Sequence, residues 1–131
     1  MITAIHTSTI FVRDQDKALD FYVNKLGFEK LRDDPMGPDS RWIEIVPPGA
    51  ESHVLLYKPT PGMPGASTYE SALASIGTFT TILFRCDDVR RTHAELSAKG
   101  VNFPTPPEEQ PWGWFAVFQD QDGNSFGLTA G

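Results

Sequence analysis

The feature of this 131-residue sequence that most restricts its fold is an internal repeat. In each half an apolar run ends at an aspartate, a helical pattern follows, and a glycine closes it. Asp14 precedes Gly27 by 13 positions and Asp87 precedes Gly100 by 13, so an offset of 73 superimposes the two units without a gap. Because a repeat constrains architecture more firmly than local propensity does, both halves are expected to adopt the same supersecondary structure.

Each half of the sequence predicts a β-α-β-β-β order. The runs 7–12 and 79–84 are rich in Ile, Phe and Thr, which favour half-buried strands. Aspartates then offer helix caps, with Asp14 or Asp16 in the first half and Asp87 or Asp88 in the second. Apolar residues at spacings of three and four indicate the helices. Strand-like runs follow at 41–46, 53–57, 114–119 and 125–129.

This order predicts an α+β fold in which two βαβββ modules stand in tandem within a single domain, 1–131. Module one spans about 4–58 and module two about 78–129. The stretch between them, about 59–77, begins with a run rich in Pro and Gly, at 59–65. Because such a run suits neither helix nor strand, we interpret this stretch as a linker.

Charge and composition exclude several classes of function. The net charge is −6 and basic residues are scattered, so the basic stripe that nucleic-acid binding requires is missing. No apolar stretch approaches the ~20 residues that span a bilayer, so no membrane partner is expected. The single cysteine, Cys86, cannot form an internal disulfide or a Cys-rich zinc site. Because the first residues show no secretory signal, a cytoplasmic location is expected.

The tandem modules also carry family-like segments. These are Phe21 with Tyr22, the Leu-Gly-Phe sequence at 26–28, and the Asp-Gln-Asp-Gly-Asn sequence at 120–124. Together they resemble the vicinal oxygen chelate superfamily, which includes glyoxalase I, extradiol dioxygenases, and fosfomycin and bleomycin resistance proteins. The resemblance runs from about His6 to Leu128. It implies curved mixed sheets around a cleft, a small-molecule ligand and a homodimer.

The resemblance also implies where a metal would be bound, since metal enzymes of this superfamily place one His or Glu on each of four strands. The corresponding positions here hold Thr7, Leu55, Thr81 and Gly127. Moving the register by one residue brings in Leu56 or Thr80, and at the first position His6, which lies on the opposite face of its strand. A divalent metal needs imidazole or carboxylate donors, so neither a metal nor another cofactor is expected.

A displaced metal site built from His6, His53 and Glu44 remains an alternative. With it, a metal-dependent lyase, isomerase or dioxygenase activity stays open, and no catalytic residue is assigned. His93 lies on the apolar stripe of the second helix, where we expect it to pack or to meet the surface. Cys86 is interpreted as a small buried thiol rather than a nucleophile.

Aromatic residues point to a ligand cleft. Trp42 and Glu44 alternate with Ile43 and Ile45, so one strand face mixes an aromatic ring with a carboxylate, and we assign that face to the cleft. The Pro-Trp-Gly sequence at 111–113 resembles a segment of bleomycin resistance proteins. Gly127 would leave extra volume in the cleft. The predicted ligand-binding residues are Thr7, Thr9, Phe11, Trp42, Glu44, Leu55, Tyr57, Thr81, Trp112, Trp114 and Gly127.

The leading hypothesis is therefore a metal-free, homodimeric protein that binds a small, partly aromatic or cationic organic molecule, for sequestration or resistance. One alternative is the enzyme with a displaced metal site. Another is an accessory dimer without a ligand, in which the tryptophans fill the core or the interface.

Overall fold

The computed structural model describes residues 1–63 and 68–131, which divide into two compact units, Met1–Ile76 and Gly77–Gly131. Part of the predicted linker, residues 64–67, lies outside the described residues. The remainder contains a helix at Tyr69–Ser75, where the sequence pattern predicts only a linker. Thr68 caps this helix by accepting a hydrogen bond from the Ser71 amide at 3.1 Å. The helix is short and follows the Pro/Gly run, so its periodic signal is weak.

The first unit holds one mixed sheet and its helices. In chain order its elements are β1 (Thr7–Phe11), α1 (Gln15–Leu19), a π-helical segment (Asp20–Lys25), β2 (Glu29–Pro35), β3 (Arg41–Val46), β4 (His53–Tyr57) and α2 (Tyr69–Ser75). The four strands are ordered β1-β4-β3-β2, and β1 runs parallel to β4. The remaining neighbours are antiparallel.

The second unit repeats this topology. Its elements are β5 (Phe79–Arg85), α3 (Val89–Ala98), β6 (Asn102–Gln110), β7 (Gly113–Gln119) and β8 (Ser125–Thr129). The strand order is β5-β8-β7-β6, with β5 parallel to β8. The predicted α+β fold with two tandem βαβββ modules and mixed sheets is confirmed. No helix in residues 1–63 and 68–131 is long and apolar enough to cross a membrane.

The helix starts follow the predicted capping chemistry. Asp14 Oδ1 accepts hydrogen bonds from the amides of Asp16 and Lys17, both at 3.0 Å. In the second unit the cap is Asp88, which accepts from the Arg91 amide at 3.0 Å. These backbone hydrogen bonds lower the pKa of both Asp14 and Asp88. The second cap therefore lies one residue beyond Asp87, the repeat partner of Asp14.

Each sheet has one face that belongs to the core. In the first unit, Ile10, Leu56 and Ile43 lie on paired positions of neighbouring strands and are buried. In the second unit, α3 lies against β6 and β7, and the ring of His93 meets that of Phe103 edge-on at 4.6 Å. His93 is half-buried, with one side of its ring packed, and Cys86 is half-buried rather than buried. A candidate site must therefore be sought on the other face of each sheet.

Candidate functional site

The other face of the first sheet holds all seven ligand-binding residues predicted for that module. Because directly paired residues project to the same side of a sheet, Thr9, Leu55 and Glu44 share this face. We call it the carboxylate face. Its residues are Thr7, Thr9, Phe11, Trp42, Glu44, His53, Leu55 and Tyr57.

Glu44 is the centre of this face, although it is only 4% exposed. Trp42 Nε1 donates a hydrogen bond to Glu44 Oε1 at 2.7 Å, and His53 Nδ1 lies 3.0 Å from Glu44 Oε2. The hydrogen bond from Trp42 lowers the pKa of Glu44 against the opposing effect of burial, and His53 adds to the lowering. An ionised carboxylate only accepts hydrogen bonds, so Nδ1 of His53 carries the hydrogen.

Two further groups lie near this carboxylate. The ring of His6 meets that of His53 edge-on, with centroids 6.2 Å apart. An Arg32 guanidinium nitrogen is 3.9 Å from Glu44 Oε1. His6, His53 and Glu44 are thus neighbours, as the displaced metal site would require. Within residues 1–63 and 68–131, however, no group of three or more His, Cys, Asp or Glu side chains is arranged to hold a metal ion.

The four positions that correspond to the family's metal ligands do not fit a metal either. Leu55 is a buried apolar side chain and Gly127 has none. Thr7 and Thr81 carry neutral hydroxyls, which are weak donors for a divalent cation compared with imidazole or carboxylate. The donor chemistry at these positions therefore offers no site on which a metal-dependent step can be built.

The other face of the second sheet carries a concave pocket with a volume of about 690 Å³. We call it the apolar pocket. Its lining residues are Phe79, Thr81, Leu83, Trp112, Phe115, Thr129 and Gly131. Thr81 and Trp112 were predicted as ligand-binding residues. Phe79 was missed, although it shares the strand parity of Thr81 and could have been found from the alternation alone.

The apolar side chains around this pocket are unusually open to solvent. Phe79 is 50% exposed, Leu83 58% and Trp112 66%. The Trp112 ring meets the Phe115 ring edge-on at a centroid distance of 6.4 Å. Since large apolar side chains are normally buried, a contiguous group that lines a concavity indicates a binding surface.

Two predicted residues occupy different places from those expected. Trp114 does not line the pocket, because it lies on the α3 side of β7 with the Arg90 guanidinium 4.5 Å from its ring centroid. On β7 the aromatic residue that faces the pocket is its neighbour Phe115. Gly127 lies on the pocket side but leaves no empty volume. A Cβ atom built there would be 2.2 Å from Leu83 Cδ2 and 3.0 Å from the Phe115 ring, so these side chains fill the space.

Thr81 distorts the strand that forms one wall of the pocket. Its φ of 63° is positive, which is rare for a β-branched residue. The pairing of β5 with β8 shifts register between Phe79 and Leu83. Thr80 Oγ1 donates to the Ser125 carbonyl at 2.8 Å, so a side chain contacts β8 where the register shifts. Such strain is found most often at functional sites.

Comparison with known proteins places these features in a family. Residues 4–128 match the model of the Glyoxalase/Bleomycin resistance protein/Dioxygenase superfamily. The Bacillus subtilis (strain 168) protein YetH is 36% identical over 126 residues, which cover 96% of this chain and 97% of YetH. A crystal structure of a superfamily member from Sphaerobacter thermophilus DSM 20745 is 41% identical, with a TM-score of 0.81 and coverage of 97% and 96% of the two chains.

A third similar structure is that of a protein with a described ligand class. The crystal structure of TnmS3, described as an antibiotic binding protein from Streptomyces sp. CB03234, is 36% identical to this chain. The match covers 99% of this chain and 98% of TnmS3, with a TM-score of 0.78. Members of the same fold family therefore include a protein that binds a small molecule.

Proposed function

This chain belongs to the glyoxalase/bleomycin resistance protein/dioxygenase superfamily, and from that membership we propose that it binds a small, flat organic molecule in the apolar pocket without using a metal ion. The similarity to an antibiotic binding protein over nearly the whole chain supports a sequestering role. The donor chemistry at Thr7, Leu55, Thr81 and Gly127 supports metal-independent binding.

The observation that carries this proposal is the exposure of Phe79, Leu83 and Trp112 around a concavity of about 690 Å³. Small-molecule pockets are typically ~300 to 1,000 Å³ and mostly apolar, with few polar groups. The hydroxyls of Thr81 and Thr129 supply such groups here. A flat ring stacked on the indole of Trp112 would bury apolar surface that the protein otherwise leaves in water.

The carboxylate face is proposed to contribute weaker contacts than the apolar pocket does. Its central charge, Glu44, already accepts hydrogen bonds from Trp42 and His53, so its capacity to recognise a ligand is largely used. The predicted ligand contacts on this face stay predictions, as do the homodimer and the cytoplasmic location. The net charge of −6 favours a cationic ligand through a long-range effect only.

Calorimetric titration tests the proposal with two flat three-ring probes, neutral acridine and cationic 9-aminoacridine. Both should bind the wild-type protein at one saturable site. Trp112→Ala should weaken acridine binding about tenfold, because stacking on an aromatic side chain contributes on the order of 1 to 3 kcal/mol. Leu31→Ala is the matched control, because Leu31 is an exposed apolar residue on β2 and should leave binding unchanged.

The mass in solution separates a ligand site from a subunit interface. If the apolar pocket binds ligand, Trp112→Ala should weaken the binding of acridine and leave the mass of the protein in light scattering unchanged. If the variant instead lowers the mass and neither probe binds the wild-type protein, the pocket is covered by a second copy. That result would overturn the proposal.

A further inference from the structure

Leu83 and Gly127 pack directly against each other at the pocket. They are direct partners in the pairing of β5 with β8, so both lie on the pocket side of the sheet. Leu83 Cδ2 occupies the space above Gly127 so closely that a Cβ atom there would be 2.2 Å away. Real Cβ atoms essentially never approach a neighbour this closely. The position of the leucine side chain thus depends on the glycine beneath it.

The strained turn at Thr81 contributes to this arrangement. Leu83 lies two residues after Thr81, at the point where the β5–β8 pairing resumes. The register shift thus ends where Leu83 meets Gly127. Backbone strain of this kind costs on the order of 1 to 3 kcal/mol and is retained where surrounding structure fixes it. The distortion, the exposed leucine and the glycine are therefore parts of one local arrangement.

We propose that the pair Leu83 and Gly127 sets the depth of the apolar pocket and thereby selects the size of the flat molecule that binds. This inference rests on the proposed function, because it assigns a selectivity to the same pocket. Leu83 is 58% exposed, so much of its side chain remains accessible to a ligand. While the Leu83 side chain lies over Gly127, it occupies volume that a more deeply bound ligand would need.

From this contact we expect two substitutions, one at each residue, to change the depth of the pocket in opposite directions. Leu83→Ala removes the side chain that fills the space above Gly127 and should deepen the pocket. Gly127→Ala places a methyl group where Leu83 Cδ2 lies and should drive the leucine outward, which makes the pocket shallower. The φ of Gly127 lies outside the positive range, so the backbone itself accepts alanine.

The test compares quinoline, with two fused rings, against acridine, with three, at a pH where both are neutral. Calorimetry on wild type, Leu83→Ala, Gly127→Ala and the control Leu31→Ala gives the ratio of acridine to quinoline affinity. We expect Leu83→Ala to raise this ratio at least about fivefold and Gly127→Ala to lower it, with no change in the control. An unchanged ratio in both variants, with both probes still binding, would overturn the size selection and leave the proposed function standing.

A stability measurement tests the pair without any ligand. Gly127→Ala should lower the thermal midpoint more in the wild-type background than in Leu83→Ala, because the second background lacks the nearer of the two conflicting side chains and keeps only the 3.0 Å approach to the Phe115 ring. Equal losses in the two backgrounds would contradict the contact on which the inference depends. If neither probe binds any of the proteins, the proposed function fails, and the size selection fails with it.

Discussion

The two sheets of this protein share a topology, but the carboxylate face of the first and the pocket face of the second differ in chemistry. In the first sheet this face buries an ionised residue, Glu44, which is 4% exposed and held by Trp42 and His53. In the second sheet the equivalent face leaves Leu83 58% exposed beside Trp112. Charged groups are normally exposed and leucines buried, so both faces reverse the usual pattern.

This difference shows that the repeat preserves strand order while the chemistry of each face varies independently. On the carboxylate face, the charge of Glu44 is stabilised by hydrogen bonds from neighbouring side chains, which indicates a structural role. The apolar pocket leaves large apolar side chains exposed to water, and so has the capacity to bind a ligand. Because function depends on the site and the fold supports many sites, the second module is the better candidate for ligand binding.

The largest expected effect tests whether the carboxylate face is structural. Glu44→Ala leaves the Trp42 and His53 donors without their acceptor, and should lower the free energy of unfolding by about 2 to 3 kcal/mol. Glu44→Gln should cost less, because its amide oxygen can still accept from Trp42. Glu109→Ala, an exposed carboxylate on β6, is the control and should stay within about 0.5 kcal/mol. Urea unfolding measures all three, and equal losses for Glu44→Ala and Glu109→Ala would break the comparison.

A second effect separates the two tryptophans of the second module. Trp114→Ala removes the ring that packs beneath Arg90 and should cost about 2 kcal/mol of stability. Trp112→Ala, at an exposed position, should cost less than about 1 kcal/mol. Thermal melts of both variants provide the measurement. A larger loss for Trp112→Ala would mean that its ring is a core or interface residue.

A smaller effect concerns acid stability. The pKa of Glu44 is lower in the folded protein than its ordinary value, so its ionised form stabilises the fold at neutral pH. That contribution is fully present above the unfolded-state pKa and is lost as pH falls through the folded-state pKa. The difference in unfolding free energy between wild type and Glu44→Gln should therefore shrink below the ordinary glutamate pKa. A difference that stays constant through the acid range would show that the Glu44 charge is not what stabilises this face.

The smallest expected effect is that of a chelator. Because no donor set in the described part of the chain, 1–63 and 68–131, is arranged to hold a metal ion, EDTA should leave the thermal midpoint and acridine affinity unchanged. Metal analysis of the purified protein should find less than one equivalent of divalent ion. A stoichiometric ion that is lost together with stability in His53→Ala would instead support the displaced site.

Sequence patterns predicted the topology and much of the first sheet because both depend on alternation and repetition. Glu44 and Leu55 fall on one face simply because strands alternate. The same rule failed at Trp114 and Phe115, since two adjacent aromatic residues give no indication of which one faces the pocket. It also failed at Gly127, because only the positions of Leu83 and Phe115 show that its space is filled. The distorted backbone at Thr81 has no sequence signal of its own.

The central claim, that the ligand occupies the second sheet's apolar pocket, is tested most directly by the indole N–H signals in a ¹H–¹⁵N spectrum. The three tryptophans report on three environments: Trp42 is hydrogen-bonded to Glu44, Trp114 lies beneath Arg90, and Trp112 lines the pocket. During titration with acridine, the Trp112 signal should shift the most and saturate, while that of Trp114 stays in place. A saturable shift of Trp42 or Trp114 with Trp112 unmoved would contradict the account.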